Sequence, residues 1–274
     1  MLAALQQILS NLGIHQDVTA FVVLFGLVLA RLVTAITLTP FLGGRAVSSR
    51  IKVGLAAVIS IVLFPTLASQ FNPGELSSLR VMCLLIKESV IGATIGFLSQ
   101  IIFQSVQMAG ATMDYARGMS QATFFAPQLE DNVSVTGQLQ LQATLVLFLV
   151  LNGHLLFLRA LAASFQKMPL LEFPKFSGGT LIAMEQMARY TGESLLVAVQ
   201  LSAPVLLALF LVDVSFGGLG KVASGLNVHN ESQPVKAMFG LGVFLLALSY
   251  IVGRMPGYFA QMMDEIRQFI QHIS

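Results

Sequence analysis

The chain of 274 residues is 55% hydrophobic and only 10% charged, with a mean hydropathy of +0.80, whereas a soluble domain has about a quarter of its residues charged. That is the composition of a membrane protein. A formal net charge of +2, without any cluster of Lys and Arg interleaved with aromatics, argues against a nucleic-acid surface, and the single cysteine, Cys83, leaves no internal disulfide or Cys-based metal site and reads as a small buried hydrophobe.

The first stretch, MLAALQQILSNLGIHQD, has neither a basic start nor a small-residue cleavage site, so no removable signal peptide is expected. Apolar runs then fall at Val18 to Thr39, Val53 to Ala68, Val81 to Phe103, Leu139 to Phe165, Leu195 to Val214 and Val235 to Val252. Since about 20 apolar residues cross a bilayer, the expected fold is all-α and polytopic: membrane-type helical hairpins with about six long apolar helices and a C-terminal amphipathic helix. The second run is short and is expected to end at Pro65. Arg45, Arg50 and Lys52 place the first connection in the cytoplasm by the positive-inside rule.

Charged and polar residues inside these runs need a reason. Arg31 in the first run and the adjacent Lys87 and Glu88 in the third are expensive in hydrocarbon, so each must be paired, snorkelling or outside the lipid. Neighbouring residues on a helix point about 100° apart, so Lys87 and Glu88 are expected to find partners on other helices or chains. Gly92 and Gly96 form a GxxxG that permits close helix packing. In the same helix Gln100, Gln104 and Gln107 make a polar stripe leading toward Asp114, and Gln138 with Gln142 repeats the spacing further on. Such faces should meet a partner or water.

Between the third and fourth runs lies MDYARGMSQATFFAPQLEDN, a mixed segment with a sticky, nearly uncharged middle. Asp114 and Arg117, three apart on the end of a helix, are expected to pair and fix where the segment departs, so exchanging their charges should preserve the pair. Gly118 permits an irregular backbone, Pro127 halts a helix, and Phe124 and Phe125 are bulky enough to fill a pore. After Pro256, residues Tyr258, Phe259, Met262, Met263, Ile266, Phe269, Ile270 and Ile273 recur at helical spacing, as in an amphipathic helix lying on the bilayer or against a partner helix. His154 and Asp213 read as satisfied polar contacts. With no HExxH, no second His at ligand spacing and no nucleophile elbow, neither an enzyme nor a metal or cofactor site is expected.

Several of these features fall into one order: Arg31 through Thr34 and Thr37 to Pro40, then Lys52, GATMDYARGMSQATFFAPQLEDN, LFLVLNGH, and SAPVLLALFLVDVSFGGLGKVASGLNVHNESQPVK. In that order the chain resembles, over nearly its whole length, the FliR/SctT family, the export-gate subunit of flagellar and injectisome type III secretion systems. The strongest likenesses are Asp114, Arg117, Gly118 and Pro127, then Asn152-Gly153-His154, then Pro204 through Asp213 to Asn227, Pro234 and Lys236. The chain departs from the family at Ser224-Gly225-Leu226-Asn227 and the polar HNES that follows, where the family usually reads Ala-Pro-Gln-Leu-Asn and then apolar residues.

The resemblance implies that one copy joins about five copies of a FliP-like subunit and several of a FliQ-like subunit in a helical cone around an export channel. It implies a FlhB-like switch subunit nearby, unfolded flagellar or effector proteins as substrates, and a place in the bacterial inner membrane within the secretion-system basal body. Residues 1–165 would mimic a FliP-like subunit, with the central loop 114–137, and residues 181–274 a FliQ-like helix pair with the amphipathic tail. Arg117, Gly118, Met119, Phe124, Phe125 and Pro127 then look like the family's plug, a loop that enters the lumen. Arg31, Lys87, Glu88, Gln100, Gln104 and Gln107 would be inter-subunit or lumen-facing groups, and Lys221, Asn227 and Lys236 would mark the loop of the C-terminal hairpin. The alternative is a secondary transporter with a discontinuous helix at its substrate site. It calls for inverted halves, and residues 1–130 do not align with 139–274.

Overall fold

The structure, a computed structural model, describes residues 18–44, 47–68, 77–118, 134–173, 178–222 and 228–273. Their regular structure is entirely helical: α1 (Val18–Leu38), α2 (Pro40–Gly43), α3 (Ser49–Ala68), α4 (Ser78–Ala116), α5 (Val135–Val150), α6 (Gly153–Lys167), α7 (Gly178–Val222) and α8 (Val228–Ile273). By length and composition, α1, α3, α4, α7 and α8 are each able to cross a membrane, and α5 with α6, bent by 72° at their junction, makes a sixth if the pair is one span.

The breaks have local causes. Thr39, extended at φ −73° and ψ 133°, separates α1 from Pro40 at the start of α2, because a residue before proline is driven out of the helical region. Asn152 takes a left-handed conformation, φ 58° and ψ 24°, which Asn tolerates better than most residues. It thereby turns the chain out of α5, and its carbonyl accepts the first bond of α6 from Leu155 N at 3.0 Å.

Proline does less than its usual helix-breaking role suggests. Pro65 lies inside α3, so the second run does not end there, and Pro234 and Pro256 both lie inside α8, which runs unbroken for 46 residues. The amphipathic tail is the last part of that helix. In an apolar setting a helix is the only way to satisfy most backbone groups, so the single bond lost at each proline is tolerated. For the same reason α4 and α7 extend well past their apolar runs, to 39 and 45 residues. At 1.5 Å per residue these three helices are about 60–70 Å long, roughly twice a hydrocarbon core of about 30 Å. Part of each therefore lies beyond the lipid.

The chain forms two compact units that interleave along the sequence: the described residues of Met1–Gln100, Asn152–Ala188 and Met262–Ser274, and those of Ile101–Leu151 and Arg189–Gln261. In the first unit α1 packs along α3, burying Leu24, Leu27, Val28, Leu32 and Ile36 together with Ala56 and Phe64. Phe21 and Phe64 meet with ring centroids 4.8 Å apart. Gly92 and Gly96 bring α4 onto the backbone of α1: a Cβ on Gly96 would fall 2.7 Å from the Ala35 carbonyl oxygen, and one on Gly92 2.9 Å from the Arg31 carbonyl carbon. Met262, Met263, Ile266, Phe269 and Ile270 are buried, so the tail turns its apolar face into the unit rather than onto a bilayer surface. Cys83 is exposed, contrary to its reading as a buried hydrophobe. It lies with Met82, Ile86 and Val90 on the outer face of α4, whereas Leu84, Lys87, Glu88, Ile91 and Ile95 form the inner one.

In the second unit Phe103, Phe148 and Phe259 form an aromatic cluster, with Phe148 edge-on to both partners at 5.4 and 5.0 Å. Edge-to-face pairs at these distances add about 0.5–1.5 kcal/mol each beyond area burial.

Candidate functional site

Two buried polar clusters stand out, one in each unit. In the first unit Arg31 and Glu88 have no exposed surface and form an ion pair through Arg31 Nε and Glu88 Oε2. The rest of the guanidinium is also satisfied: Nη1 donates to Ser164 Oγ at 3.1 Å, Nη2 donates to the Met168 carbonyl at 3.0 Å, and its carbon lies 4.2 Å from the Phe165 ring centroid. Lys87 Nζ donates to the carbonyls of Pro169, Leu170 and Glu172 at 3.1, 2.9 and 2.8 Å and stands 2.7 Å from Glu88 Oε1. The two cations thus hold the turn that follows α6 by its carbonyls, a cap built from other helices. Lys87 and Glu88 do pair with each other, against expectation, because the flexible lysine stem swings the ammonium round to the neighbouring carboxylate. Arg31, Lys87 and Glu88, expected to face other subunits or a lumen, find these ion-pair and hydrogen-bond partners within the chain.

The second cluster lies where the central segment leaves α4 and rejoins at α5. Asp114 is on the last turn of α4, yet its carboxylate serves the start of α5. Its Oδ2 accepts from Ser134 Oγ at 2.6 Å and from Thr136 N at 2.9 Å, and its Oδ1 accepts from Thr136 Oγ1 at 2.6 Å. Ser134 is the N-cap of α5, its hydroxyl accepting from Gly137 N at 2.8 Å. A carboxylate there complements the positive end of α5, while Arg117, at the end of α4, complements the negative end of its own helix. Arg117 donates through Nη2 both to Asp114 Oδ1 and to Thr136 Oγ1. The helices approach closely at glycines: a Cβ on Gly137 would fall 2.6 Å from the Gln107 carbonyl oxygen, and one on Gly110 2.8 Å from Gln140 Oε1.

Gly118, the last described residue before the central segment, has φ +78°, a conformation glycine adopts without strain. The place a Cβ would take is filled by the Gln233 amide of α8. Arg117 packs its stem on Gly240, where a Cβ would lie 2.7 Å from both Cγ and Cδ. Sequence reasoning missed Ser134, Thr136, Gln233 and Gly240. Ser134, opening Ser-Val-Thr-Gly before an apolar run, carries a readable N-cap signal; the α8 contacts carry none.

This geometry changes one expectation. Asp114 and Arg117 do pair, but Asp114 also caps α5, and an arginine in its place has no acceptor for Thr136 N or Ser134 Oγ. Exchanging the charges, Asp114→Arg with Arg117→Asp, is therefore expected to leave export as defective as Asp114→Arg alone. Secretion restored by the double exchange would show that the ion pair outweighs the cap.

The remaining residues separate. Gln104 is exposed and Gln100 and Gln107 are half-buried. Gln138 and Gln142 lie off the inner face of α5, which carries Thr136, Gly137, Gln140, Thr144 and Phe148. Lys221 is exposed on the last turn of α7. Lys236 is not in the hairpin loop but within α8, buried and paired with Asp213 of α7. Asn227, Met119, Phe124, Phe125 and Pro127 lie outside the described residues. Among the described residues no group of His, Cys, Asp and Glu is placed to hold a metal ion.

The family model described as "Bacterial export proteins, family 1" matches residues 22–262. The flagellar biosynthetic protein FliR of Pectobacterium carotovorum is 27% identical over 244 residues, covering 89% of this chain and 91% of that protein. FliR of Bacillus subtilis is 27% identical over 251 residues, 90% of this chain and 94% of its own length. The Yop proteins translocation protein T of Yersinia pestis is 27% identical over 214 residues, covering 78% and 81%. With these matches and its membrane-length helices, the chain belongs to the bacterial export proteins of family 1, the FliR/SctT family, as an inner-membrane component of a type III export apparatus.

Proposed function

We propose that this chain is the structural and gating subunit of a type III protein-export channel, built with FliP-like and FliQ-like subunits and a FlhB-like switch subunit, and that its central loop, residues 114–137, is the plug. The supporting observation is the double anchor. Gly118 and Ser134 flank its middle, and Asp114, Arg117, Ser134 and Thr136 join the two helix ends through buried and part-buried hydrogen bonds. The 15 residues between have an extended contour of about 50 Å; tethered at both ends, they reach about half that, roughly 25 Å. Phe124 and Phe125 sit near the middle, where the reach is greatest. Such a segment is long enough to enter a pore and is held at its base by bonds that need not break when it moves.

The division into a FliP-like part, residues 1–165, and a FliQ-like part, 181–274, belongs to the same proposal, as do Gln100, Gln104 and Gln107 as groups facing other subunits or the lumen. Exposed Gln104 on an apolar helix calls for such a neighbour. Expressed alone in mild detergent, the chain is expected to be unstable and polydisperse; co-expressed with FliP-like and FliQ-like subunits, it should purify with them as one complex. A stable, monodisperse monomer would contradict the assignment.

A further inference from the structure

By length and composition α7 and α8 can each cross a membrane, but at 45 and 46 residues both are far longer than lipid requires. Which part of each lies in lipid follows from the charge it exposes. From Leu201 to Gly220 of α7 the single charged residue is Asp213, and from Ser232 to Gly253 of α8 it is Lys236. These two neutralise each other in an ion pair. The side chains turned outward along both stretches are large and apolar, among them Leu207, Phe210 and Leu211 on α7 and Met238, Leu245 and Leu246 on α8. Beyond one end stand the exposed Lys221 and Glu231. At the other end a polar ladder begins: Arg189 pairs with Glu193, Gln261 Nε2 donates to Glu193 Oε2 at 3.1 Å, and the Tyr258 hydroxyl donates to Gln200 Oε1 at 3.3 Å. At 1.5 Å per residue, Gln200 and Lys221 are about 32 Å apart along α7, and Glu231 and Arg254 about 35 Å apart along α8. Two antiparallel helices thus give the same apolar depth, close to that of a hydrocarbon core of about 30 Å.

Arg254 sits at this boundary. It is exposed, and its guanidinium carbon lies 5.5 Å from the Tyr250 ring centroid. The groups that act on its charge are Tyr250 and Tyr258, with no carboxylate among them. Tyr250, Arg254 and Tyr258 recur every four residues and so share one face of α8. Tyrosines gather at the headgroup level, where the ring meets lipid and the hydroxyl meets water, and an arginine without an acid partner is complementary to a phosphodiester. We propose that α7 and α8 cross the bilayer between the Lys221–Glu231 level and the Gln200–Arg254 level, and that Arg254, flanked by Tyr250 and Tyr258, binds the phosphate of a phospholipid headgroup. The part of α7 before Gln200 and the part of α8 after Arg254 then stand outside the hydrocarbon, where the Arg189–Glu193 pair is inexpensive. Leu195, Leu196 and Val199, exposed between Glu193 and Gln200, lie in the headgroup layer. The placement is independent of the gating role and needs only a chain that lives in a membrane.

The test uses the assembled complex in phospholipid vesicles, freed of other cysteines by Cys83→Ala and carrying one nitroxide label at a time at Leu211→Cys, Leu241→Cys or Ala260→Cys. All three positions are exposed. Labels at Leu211 and Leu241, near the middle of the two apolar stretches, are expected to collide readily with oxygen, which concentrates in hydrocarbon, and little with a water-soluble nickel chelate. The label at Ala260 should do the reverse. Chelate reaching the two middle labels, or neither reagent reaching them because protein covers the face, overturns the placement. The headgroup site is probed with a phosphatidylglycerol bearing a photoreactive headgroup, present at low fraction in phosphatidylcholine vesicles. Labelling of α8 around residue 254 is expected to fall about fivefold with Arg254→Gln, the effect of one cation near an anionic surface, to persist with Arg254→Lys, and to be indifferent to added inorganic phosphate. Equal labelling of Arg254→Gln overturns the headgroup site, as does competition by inorganic phosphate, which marks a free-anion site instead. Complex yield should not change, because Arg254 is exposed; loss of the complex with both variants makes Arg254 a subunit contact and also overturns the site.

Discussion

Replacing Arg31 by Met is expected to destabilise the chain severely and lower its yield. Arg31 and Glu88 are completely buried, and the substitution leaves the Glu88 carboxylate with Lys87 as its one cation among the described residues. Ser164 Oγ and the Met168 carbonyl lose their donor in the same step. Breaking a buried pair in this one-sided way costs about 3–5 kcal/mol, a large share of a total stability of about 5–15 kcal/mol. The double change Arg31→Met with Glu88→Met removes both charges and should recover much of the loss, since an apolar replacement of a buried pair is often neutral. Recovery will be partial, because Met168 still lacks its donor. The check is the yield of full-length chain extracted in detergent and its temperature of thermal aggregation. If the double variant is as depleted as the single one, the bonds to Ser164 and Met168 matter more than the ion pair.

Much of the helical content was legible in advance because a membrane-length apolar run has few alternatives to a helix. Helix ends were harder to read. The apolar runs Val81 to Phe103 and Leu195 to Val214 stop well short of the ends of α4 and α7, since helices about twice the bilayer thickness have ends where charge is not expensive. Pro65 and Pro256 looked like stops and are not. For the polar residues, the sequence indicated that partners were needed without identifying them. Arg31 and Glu88 are 57 positions apart, and nothing local links them. Asp114 and Arg117 were readable as a pair because they are three apart on a helix, while the cap that Asp114 supplies to α5 depends on a fold that brings residues 114 and 136 together. The Gln233 contact with Gly118 is of the same kind. Cys83 was misread for a different reason: in a membrane helix the outer face is as apolar as the inner one, so hydrophobicity does not report burial.

A pore wide enough for an unfolded chain would pass ions whenever it stood idle, so it needs a movable closure. On the proposed reading Phe124 and Phe125 supply the closure: burying one Phe side chain contributes about 1.5–3 kcal/mol, so two would hold a closed state by about 3–6 kcal/mol, a closed-to-open ratio of roughly 10²–10⁴. That is firm enough to seal at rest and small enough for an arriving chain to overcome. The most direct measurement is ion permeability across the inner membrane of cells carrying the complete gate with Phe124→Gly and Phe125→Gly. Permeability is expected to rise at least about tenfold with the loss of this burial, with the complex assembled in normal amount. Unchanged permeability at normal complex yield would contradict the account and assign closure to another subunit.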